Sequence, residues 1–477
     1  MLERRVIRDL EGQVDAPHVY TRPADLAAYA YDAWGASGER HLPDVVVFPS
    51  TTSEVAGVLQ VAAHHGAPVI PRGAGTGYAA GAAPRHGGIV LCLTRMSRVL
   101  GLERDAQRLH AEAGAITGSI SAAAHRAGLY YPPDPGSSST CTIGGNVACN
   151  AAGPHALRYG VTADYVAGLT VVMADGSVVR LGEGGDGSGR GLLALLAGSE
   201  GTLGVITEVL LRLLPAPEAR MTLAATYSSM DKAAAAVAGV TRAGVVPAAL
   251  EFLDRGALAA VRAAGGGTLG GDAEALVIFE VEGSASGAAT EAEAVRQAAA
   301  AAGADSVETA STTSEADRLW QARKAVSAAV AKVMIGKVNE DVVVPRDRVA
   351  ELVAFTHQIG ERHQLPVVNF GHLGDGNLHA TFLIDPRVDG ERERADKAAA
   401  ELFERVLAMG GSLSGEHGVG QAKVAYVERQ LGPGGIALMR RIKNVFDPHG
   451  TLNPGKKVPP LAGVEVPVER VPALAAH

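Results

Sequence analysis

The first half of the chain alternates short apolar runs with glycine-rich turns. The hydroxyl residues at 50–52 come before an apolar pattern of helical period, which predicts a capped helix over residues 53–65. The short apolar runs have the length of buried strands. Strands are predicted at residues 45–48, 69–71, 89–93, 166–173 and 178–181.

The pattern changes at Pro215-Ala-Pro217, where two closely spaced prolines predict a linker. Beyond it, alanine-rich helices are expected at 231–243 and 288–302, with strands such as 276–281 between them. Helices packed on one side of antiparallel strands predict an α+β domain.

Length and composition narrow the class of protein. A chain of 477 residues exceeds one compact core, so two or three domains are expected. Apolar residues make up 47%, which is enough for large interiors. Lys and Arg number 43 against 51 Asp and Glu, a net charge of −8, and no basic stripe occurs. Nucleic acid is therefore excluded as a partner.

The cysteine pattern and the lack of long apolar runs indicate where in the cell the protein is expected. Cys92, Cys141 and Cys149 fit neither a disulfide framework nor a Cys-x-x-Cys motif, which favours a reducing, cytoplasmic setting. The N-terminus has no apolar core of signal-peptide length. No run reaches the about 18 apolar residues that a membrane helix needs. Peripheral membrane attachment through a partner subunit is left open.

The loop Pro71-Arg-Gly-Ala-Gly-Thr-Gly-Tyr-Ala-Ala-Gly81 formally matches the dinucleotide fingerprint G-x-G-x-x-A. That fingerprint requires a helix directly after the loop. Pro84, Gly87 and Gly88 interrupt the sequence and the next strand starts at Ile89, so no helix fits and the Rossmann interpretation fails. The glycines still allow backbone N–H groups to approach an anion, as in a phosphate-binding nest, although an ordinary surface loop is the alternative.

Two further segments share this character: residues 132–150, which contain Thr-Ile-Gly-Gly-Asn, and residues 198–207. Together with the first loop, they resemble the FAD-binding domain of the vanillyl-alcohol-oxidase/PCMH flavoproteins. The resemblance covers residues 31–457 and is greatest to the branch of the glycolate oxidase flavin subunit, FAD-linked D-lactate dehydrogenase and D-2-hydroxyglutarate dehydrogenase.

This resemblance implies an α+β fold in three parts. A two-part PCMH-type FAD-binding domain would span residues 1–215, and a ferredoxin-like α+β substrate domain that also binds the metal would span 216–420. A helical segment, 421–477, would pack back on the FAD-binding domain.

The resemblance also implies non-covalent FAD, since relatives that share His155 hold the cofactor without a covalent link. Tyr78, Ala80 and Ala152 depart from the family pattern. The resemblance therefore implies the cofactor but not the local shape of the loops that carry these residues. The implied cofactor-binding residues are Pro71, Arg72, Gly73, Ala74, Gly75, Thr76, Gly77, Pro135, Thr142, Ile143, Gly144, Gly145, Asn146, Gly201, Val205, Ile206 and Asn453.

Two histidines seven residues apart, His372 and His379, lie in a glycine-rich stretch between the apolar runs 365–368 and 381–384. One regular strand would place them on opposite faces, and the glycines disfavour a helix. A tight turn centred on Gly374-Asp-Gly376 can instead direct both imidazoles to one point. A lone histidine pair is more often structural. However, Glu416-His417, again between glycines, adds a carboxylate, and the set favours a divalent ion such as Zn²⁺.

The resemblance assigns roles to these residues. His372, His379 and Glu416 match the metal ligands, for zinc with manganese and iron as alternatives, and His417 matches the catalytic base. Arg323 and Ser327, one helical turn apart, resemble a carboxylate-binding helix, and Lys337 matches a second cation. For these last three residues the alternative is a solvated surface position.

The function expected from this resemblance is oxidation of a small D-2-hydroxy acid of the lactate, glycolate or 2-hydroxyglutarate type. The chain has no cluster-ligating cysteines of its own, so onward electron transfer is expected to need a partner. That acceptor would be a quinone, an electron-transfer flavoprotein, a cytochrome or an iron–sulfur subunit. The alternatives are an FAD-binding accessory subunit of a multi-subunit complex and a metallohydrolase. A homodimer is left open.

Overall fold

The computed structural model describes residues 2–34, 41–183, 189–265 and 270–459. The described chain forms sheets of four, five, two and seven strands. Short 3₁₀ helices occur at Ala16–His18, Ala27–Tyr29, Leu93–Arg95, Thr162–Tyr165, Arg346–Arg348 and Val424–Tyr426. No helix within these residues combines the length and the apolarity that crossing a bilayer requires.

The four-stranded sheet has the order β1-β2-β4-β3, in which the last three strands are parallel. Its strands are β1 (Val19–Tyr20), β2 (Val45–Val47), β3 (Val69–Arg72) and β4 (Ile89–Cys92). Residues 73–88, between β3 and β4, contain no helix, which confirms the rejection of the Rossmann interpretation.

The five-stranded sheet is antiparallel, with the order β5-β6-β10-β8-β9, and a two-stranded ribbon pairs β11 with β7. The strands are β5 (Val99–Glu103), β6 (Arg108–Glu112), β7 (Leu129–Tyr130), β8 (Val166–Val172), β9 (Val178–Gly182), β10 (Val205–Arg212) and β11 (Leu214–Pro215). The predicted linker at Pro215 thus continues directly from a short strand.

Seven helices of the described part of the chain accompany these sheets. They are α1 (Arg4–Glu11), α2 (Pro23–Leu26), α3 (Thr52–His65), α4 (Thr117–Arg126), α5 (Ile143–Cys149), α6 (Ala156–Tyr159) and α7 (Arg190–Leu196). The predicted capping of α3 is confirmed: the Thr51 side chain accepts a hydrogen bond from the Glu54 N–H, and the Glu54 carboxylate accepts one from the Ser50 N–H. The buried face of α3 packs in one apolar core together with strands of the four-stranded and the five-stranded sheets.

The seven-stranded sheet follows β11 and has the order β15-β12-β14-β13-β17-β18-β16. All its pairings are antiparallel. The strands are β12 (Ala219–Tyr227), β13 (Ala249–Asp254), β14 (Ala275–Gly283), β15 (Ser306–Thr309), β16 (Gly336–Val343), β17 (Val367–His372) and β18 (Asn377–Ile384).

Helices cover both faces of this sheet, so the expectation of helices on one side is wrong. The helices after β11 are α8 (Met230–Arg242), α9 (Arg255–Ala263), α10 (Ala285–Ala301), α11 (Thr313–Val333), α12 (Val349–His363), α13 (Glu391–Ala408) and α14 (Val427–Phe446), the last of which contacts the first core instead. One face packs against α8, α10, α12 and α13. On the other face, α9 and α11 cover a smaller apolar cluster, and polar side chains continue beyond it.

The C-terminal part of the chain returns to the first region. Asn453 donates its N–H to the carbonyl of Val69, and Val69 donates its N–H to the carbonyl of Thr451, at 2.8 Å each. Leu452, between them, is fully buried in the first core. The chain therefore contacts β3 again about 380 residues later. The final residues of the predicted segment, 460–477, lie outside the described residues.

Candidate active site

A large cavity of about 1030 Å³ lies between the glycine-rich loops of the first region and the polar face of the seven-stranded sheet. Most of the expected cofactor-binding residues line it: Pro71, Arg72, Gly73, Ala74, Gly75, Thr76, Gly77, Pro135, Thr142, Gly144, Gly145, Asn146, Gly201, Val205 and Ile206. Ile143 is fully buried in the first core instead, and Asn453 donates from Nδ2 to the carbonyls of Gly81 and Glu200.

The glycine-rich loop has the features of an anion-binding nest. Within the described residues, no backbone N–H of residues 73–77 donates a hydrogen bond. Gly75 has φ 72°, which favours glycine. Arg72 is buried, and its Nη1 donates to the carbonyl of Tyr31 at 2.8 Å. These backbone donors and the adjacent cation suit a diphosphate.

The helix α5 begins at the cavity wall and is packed closely from behind. A Cβ added to Gly144 would overlap Ala113, so only glycine allows this close approach. Buried Asn146 donates from Nδ2 to the hydroxyl of Thr117 at 2.7 Å. The conformation of Thr142-Ile-Gly-Gly-Asn is therefore fixed by packing behind the wall.

The other wall of the cavity brings together most of the expected substrate and metal residues: Arg323, Ser327, His372, His379, Glu416 and His417. Arg323 and Ser327 lie one turn apart on α11. Lys337 lies behind Tyr78 and does not contribute to the cavity wall formed by the described residues. Its Nζ is 5.4 Å from the centre of the Tyr78 ring, and burial lowers its pKa.

A β-hairpin brings the two histidines together. The strands β17 and β18 continue through His372 and His379, so they are longer than the predicted apolar runs, and the turn is confined to residues 373–376. His372 pairs with Asn377, two residues before His379, which places both histidines on one face of the sheet. Their ring centres are 5.3 Å apart.

Glu416 completes a set of three potential ligands. Its Oε1 lies 3.1 Å from His372 Nε2 and 3.5 Å from His379 Nε2. Ligand atoms at about 2.0–2.1 Å from a tetrahedral zinc ion are about 3.3 Å apart, so the observed separations match. Asp341, His379 and His417 form a second close set. However, the Asp341 carboxylate already accepts five hydrogen bonds, from Asn377, Ser414, Gly415, Glu416 and His417, so the first set fits better.

The protonation of the cluster follows from its burial and charges. Burial alone would raise the pKa of Glu416, but the hydrogen bond and charge of His372 outweigh it and lower the pKa to about 2. Burial and the neighbouring His417 lower the pKa of His379 to about 3, so this ring is neutral and has a free lone pair. Burial opposes the charged form of His372, yet the attraction of Glu251 and Glu416 raises its pKa well above the usual value. A cation at His372 Nε2 is therefore stabilised by both carboxylates.

His417 lies between two other rings. Its imidazole stacks on the Tyr78 ring at 5.1 Å and on the His379 ring at 5.0 Å. Tyr78 comes from the glycine-rich loop, so a residue that departs from the family pattern contacts the expected base. No motif in the sequence predicts this contact.

Two buried carboxylates lie beside the histidines and were not predicted from the sequence. Glu251 lies opposite His372 on β13, and Asp341 lies opposite His379 on β16. The side chain of each is completely buried. The sequence feature that could have revealed them is a charged residue inside an apolar strand, because a buried charge requires a partner.

Comparison with known proteins identifies the family. Residues 216–457 match the family model for FAD linked oxidases, C-terminal domain, and residues 43–182 match the model for an FAD binding domain. The glycolate oxidase subunit GlcD of Bacillus subtilis is 38% identical over 449 residues, which cover 94% of this chain and 95% of the relative. A D-lactate dehydrogenase of Anaerostipes hadrus is 34% identical, with coverage of 87% and 89%.

Solved structures agree with this at the level of the fold. A p-cresol methylhydroxylase superposes with a TM-score of 0.79 at 16% identity, covering 95% of this chain and 96% of that chain. A 4-ethylphenol oxidase from Gulosibacter chungangensis gives 0.78 at 20% identity, covering 96% and 97%. The expected α+β fold of the PCMH type is thereby confirmed. The chain belongs to the FAD-linked oxidases, in the branch of glycolate oxidase subunits and D-lactate dehydrogenases, and is an FAD-linked oxidoreductase.

Proposed function

We propose that this chain oxidises a small D-2-hydroxy acid to the 2-oxo acid, using non-covalent FAD and a divalent metal ion, zinc in the first instance. The observation that carries the proposal is that His372, His379 and Glu416 converge on the same cavity as the flavin-binding loops. His417 lies on the same wall, within reach of that cluster.

His372, His379 and Glu416 would hold the ion. A divalent ion there supplies Lewis-acid chemistry, which lowers the pKa of a coordinated hydroxyl group. Glu251 accepts a hydrogen bond from His372 Nδ1, which leaves the Nε2 lone pair for the ion. His379 is already in the neutral form that a ligand requires.

Arg323 would bind the substrate carboxylate. Its Nε donates to Glu251 at 2.6 Å, which fixes the guanidinium plane, and the guanidinium lies 4.8 Å over the Phe370 ring. The terminal nitrogens remain as donors for a carboxylate. Ser327, one turn further along α11, would add a hydroxyl group.

His417 would accept the hydroxyl proton of the substrate as the general base. Its stacking between Tyr78 and His379 restricts the ring to one plane. FAD, when bound, accepts the hydride that leaves C2 of the acid. The two electrons would then pass to a quinone, an electron-transfer flavoprotein, a cytochrome or an iron–sulfur subunit.

The test is an anaerobic titration of the purified yellow protein with D-lactate, L-lactate, glycolate and D-2-hydroxyglutarate, followed by the visible absorption of oxidised flavin. We expect bleaching by at least one D-2-hydroxy acid or by glycolate, and loss of bleaching after chelation, restored by added zinc or manganese. Bleaching that persists without bound metal would remove the metal from the proposal. A flavin that no 2-hydroxy acid reduces would favour an accessory subunit, and a colourless protein would favour a metallohydrolase.

The ligand assignment has its own test. A His372→Ala, His379→Ala double variant should lose the bound metal and keep its FAD, both measured on the purified protein. Metal retained at the wild-type ratio would show that other residues bind it.

A further inference from the structure

The segment Gly-Glu-His-Gly-Val-Gly at residues 415–420, called here the Glu-His loop, has an unusual backbone. All six of its N–H groups donate to side-chain oxygens. Asp341 accepts the first three at 2.9 Å each, and the Ser414 hydroxyl accepts the fourth at 2.9 Å. Glu200 accepts the last two, at 2.9 and 2.6 Å.

The two carboxylates approach the loop from different regions of the protein. Asp341 lies on β16 of the seven-stranded sheet, and its side chain is completely buried. Glu200 lies in the segment before β10, beside the cavity-lining Gly201, and its side chain is 3% exposed. The Glu-His loop is thus bound to the substrate-binding sheet on one side and to the flavin-binding region on the other.

Each carboxylate is itself held in place. Asp341 Oδ1 accepts from Asn377, which pairs with His372 at the hairpin turn. The backbone of Glu200 has φ 54°, and its carbonyl accepts from Asn453 Nδ2 at 2.7 Å. Such a left-handed conformation at a residue other than glycine is strained and persists only where the surroundings fix it.

A run of N–H groups directed inward would attract any anion, including a substrate carboxylate. Two built-in carboxylates occupy that position, so the side chains of the loop and not its backbone face the substrate. We infer that Asp341 and Glu200 are positioning residues that align Glu416 and His417, Asp341 with respect to the histidine ligands and Glu200 with respect to the flavin. This inference rests on the proposed roles of Glu416 and His417.

The two residues should fail in different ways. Loss of Asp341 releases the part of the loop that carries Glu416, so metal binding should weaken about 10–100-fold, as for other residues that orient ligands. Loss of Glu200 leaves the three ligands together but releases the loop from the flavin-binding region. Because a displacement of about 1 Å can cost about 10²-fold in rate, kcat should fall with little change in KM or in metal affinity.

The experiment compares Asp341→Leu, Asp341→Asn and Glu200→Gln in the holoenzyme. Metal affinity is measured by competition with a chromophoric chelator, FAD content by absorption, and kcat and KM with the best acid from the titration. Asparagine keeps one acceptor oxygen, so Asp341→Asn should retain more metal affinity than Asp341→Leu. If the leucine variant does not fold, the asparagine variant should still bind metal more weakly than the wild type.

Two control variants match these changes. Glu340→Gln alters a buried residue next to Asp341 in the sequence. The Glu340 side chain lies on the face of β16 opposite to that of Asp341. Ser199→Ala removes a buried hydroxyl beside Glu200 that has no hydrogen-bond partner among the described residues. Both should keep the wild-type metal affinity and kcat.

The inference is overturned if the Asp341 variants bind metal as the wild type does, or if Glu200→Gln keeps the wild-type kcat. It is also overturned if Glu200→Gln lowers metal affinity as much as Asp341→Leu, because the loop would then act as one structural unit. Failure of the proposed function looks different: the wild-type protein itself would bind no metal or resist reduction by every acid.

Discussion

The carboxylate of Glu251 lies directly opposite His372 on the neighbouring strand, and its two oxygens accept hydrogen bonds from His372 Nδ1 and Arg323 Nε. One buried residue therefore contacts both an expected metal ligand and the expected substrate-binding arginine. Burial would raise the pKa of Glu251, but the charges of His372 and Arg323 outweigh it and lower the pKa, so the residue is an anion.

Glu251→Gln should weaken metal binding by about 10–100-fold. Glutamine offers one acceptor oxygen where two donors each need one, so either His372 or Arg323 loses its partner. Metal affinity is measured by chelator competition. The matched control is Glu282→Gln, a buried carboxylate on the neighbouring strand that pairs with Arg220 and should keep the metal. Equal affinities for wild type and Glu251→Gln would show that His372 needs no orienting carboxylate.

Arg323→Lys should raise KM for the hydroxy acid by about 10–100-fold, since a charge-assisted hydrogen bond contributes about 1.5–3 kcal/mol. Lysine keeps the charge beside Glu251 but lacks the two parallel donors that match a carboxylate. The measurement is steady-state kinetics with an artificial dye acceptor. Arg318→Lys, on the same helix but paired with Glu308 at the surface, is the control. An unchanged KM in Arg323→Lys would indicate that another residue binds the carboxylate.

The sequence was sufficient for the residues whose chemistry is visible in a short motif. Pro84, Gly87 and Gly88, followed by a strand at Ile89, excluded a Rossmann helix after the glycine-rich loop. The Gly374-Asp-Gly376 turn predicted that His372 and His379 converge. Both are local properties, because a turn or a missing helix depends on a few neighbouring residues.

The carboxylates around the site could not be placed in the same way. Glu251 is 121 residues from His372, and Glu200 is 220 residues from the last N–H that it accepts. Such contacts depend on strand order and on how the two regions pack, and one sequence does not encode these in a local pattern. That helices cover the second face of the large sheet was missed for the same reason, since periodicity does not reveal against which face a helix packs.

Lys456 predicts a pH-dependent stability. Burial lowers its pKa to about 7, against about 10.4 in an unfolded chain, and its Nζ donates to the carbonyls of Gly81 and Ala83. Between these pH values the unfolded chain binds more protons, so this residue makes stability rise with pH from about 7 to 10.4. Below pH 7 both states are protonated, and its unfavourable contribution is largest and constant.

Lys456→Met removes this titration. The free energy of unfolding of the wild type minus that of the variant should therefore increase from pH 7 to pH 10, measured by denaturant unfolding with excess FAD. The exposed Lys397→Met on α13 should show no such trend. A difference for Lys456→Met that stays constant with pH would contradict a lowered pKa.

His417 provides the most direct test of the proposed base. His417→Ala should lower the rate of anaerobic flavin reduction by about 10²–10⁴-fold, while metal and FAD contents stay at wild-type values. His417→Phe separates chemistry from packing, because a phenyl ring can keep the stack between Tyr78 and His379 but cannot accept a proton. Both variants should be equally slow. Added imidazole should partly restore the alanine variant, in which the space between the two rings is open, and not the phenylalanine variant. Wild-type reduction by the phenylalanine variant would mean that another group takes the hydroxyl proton.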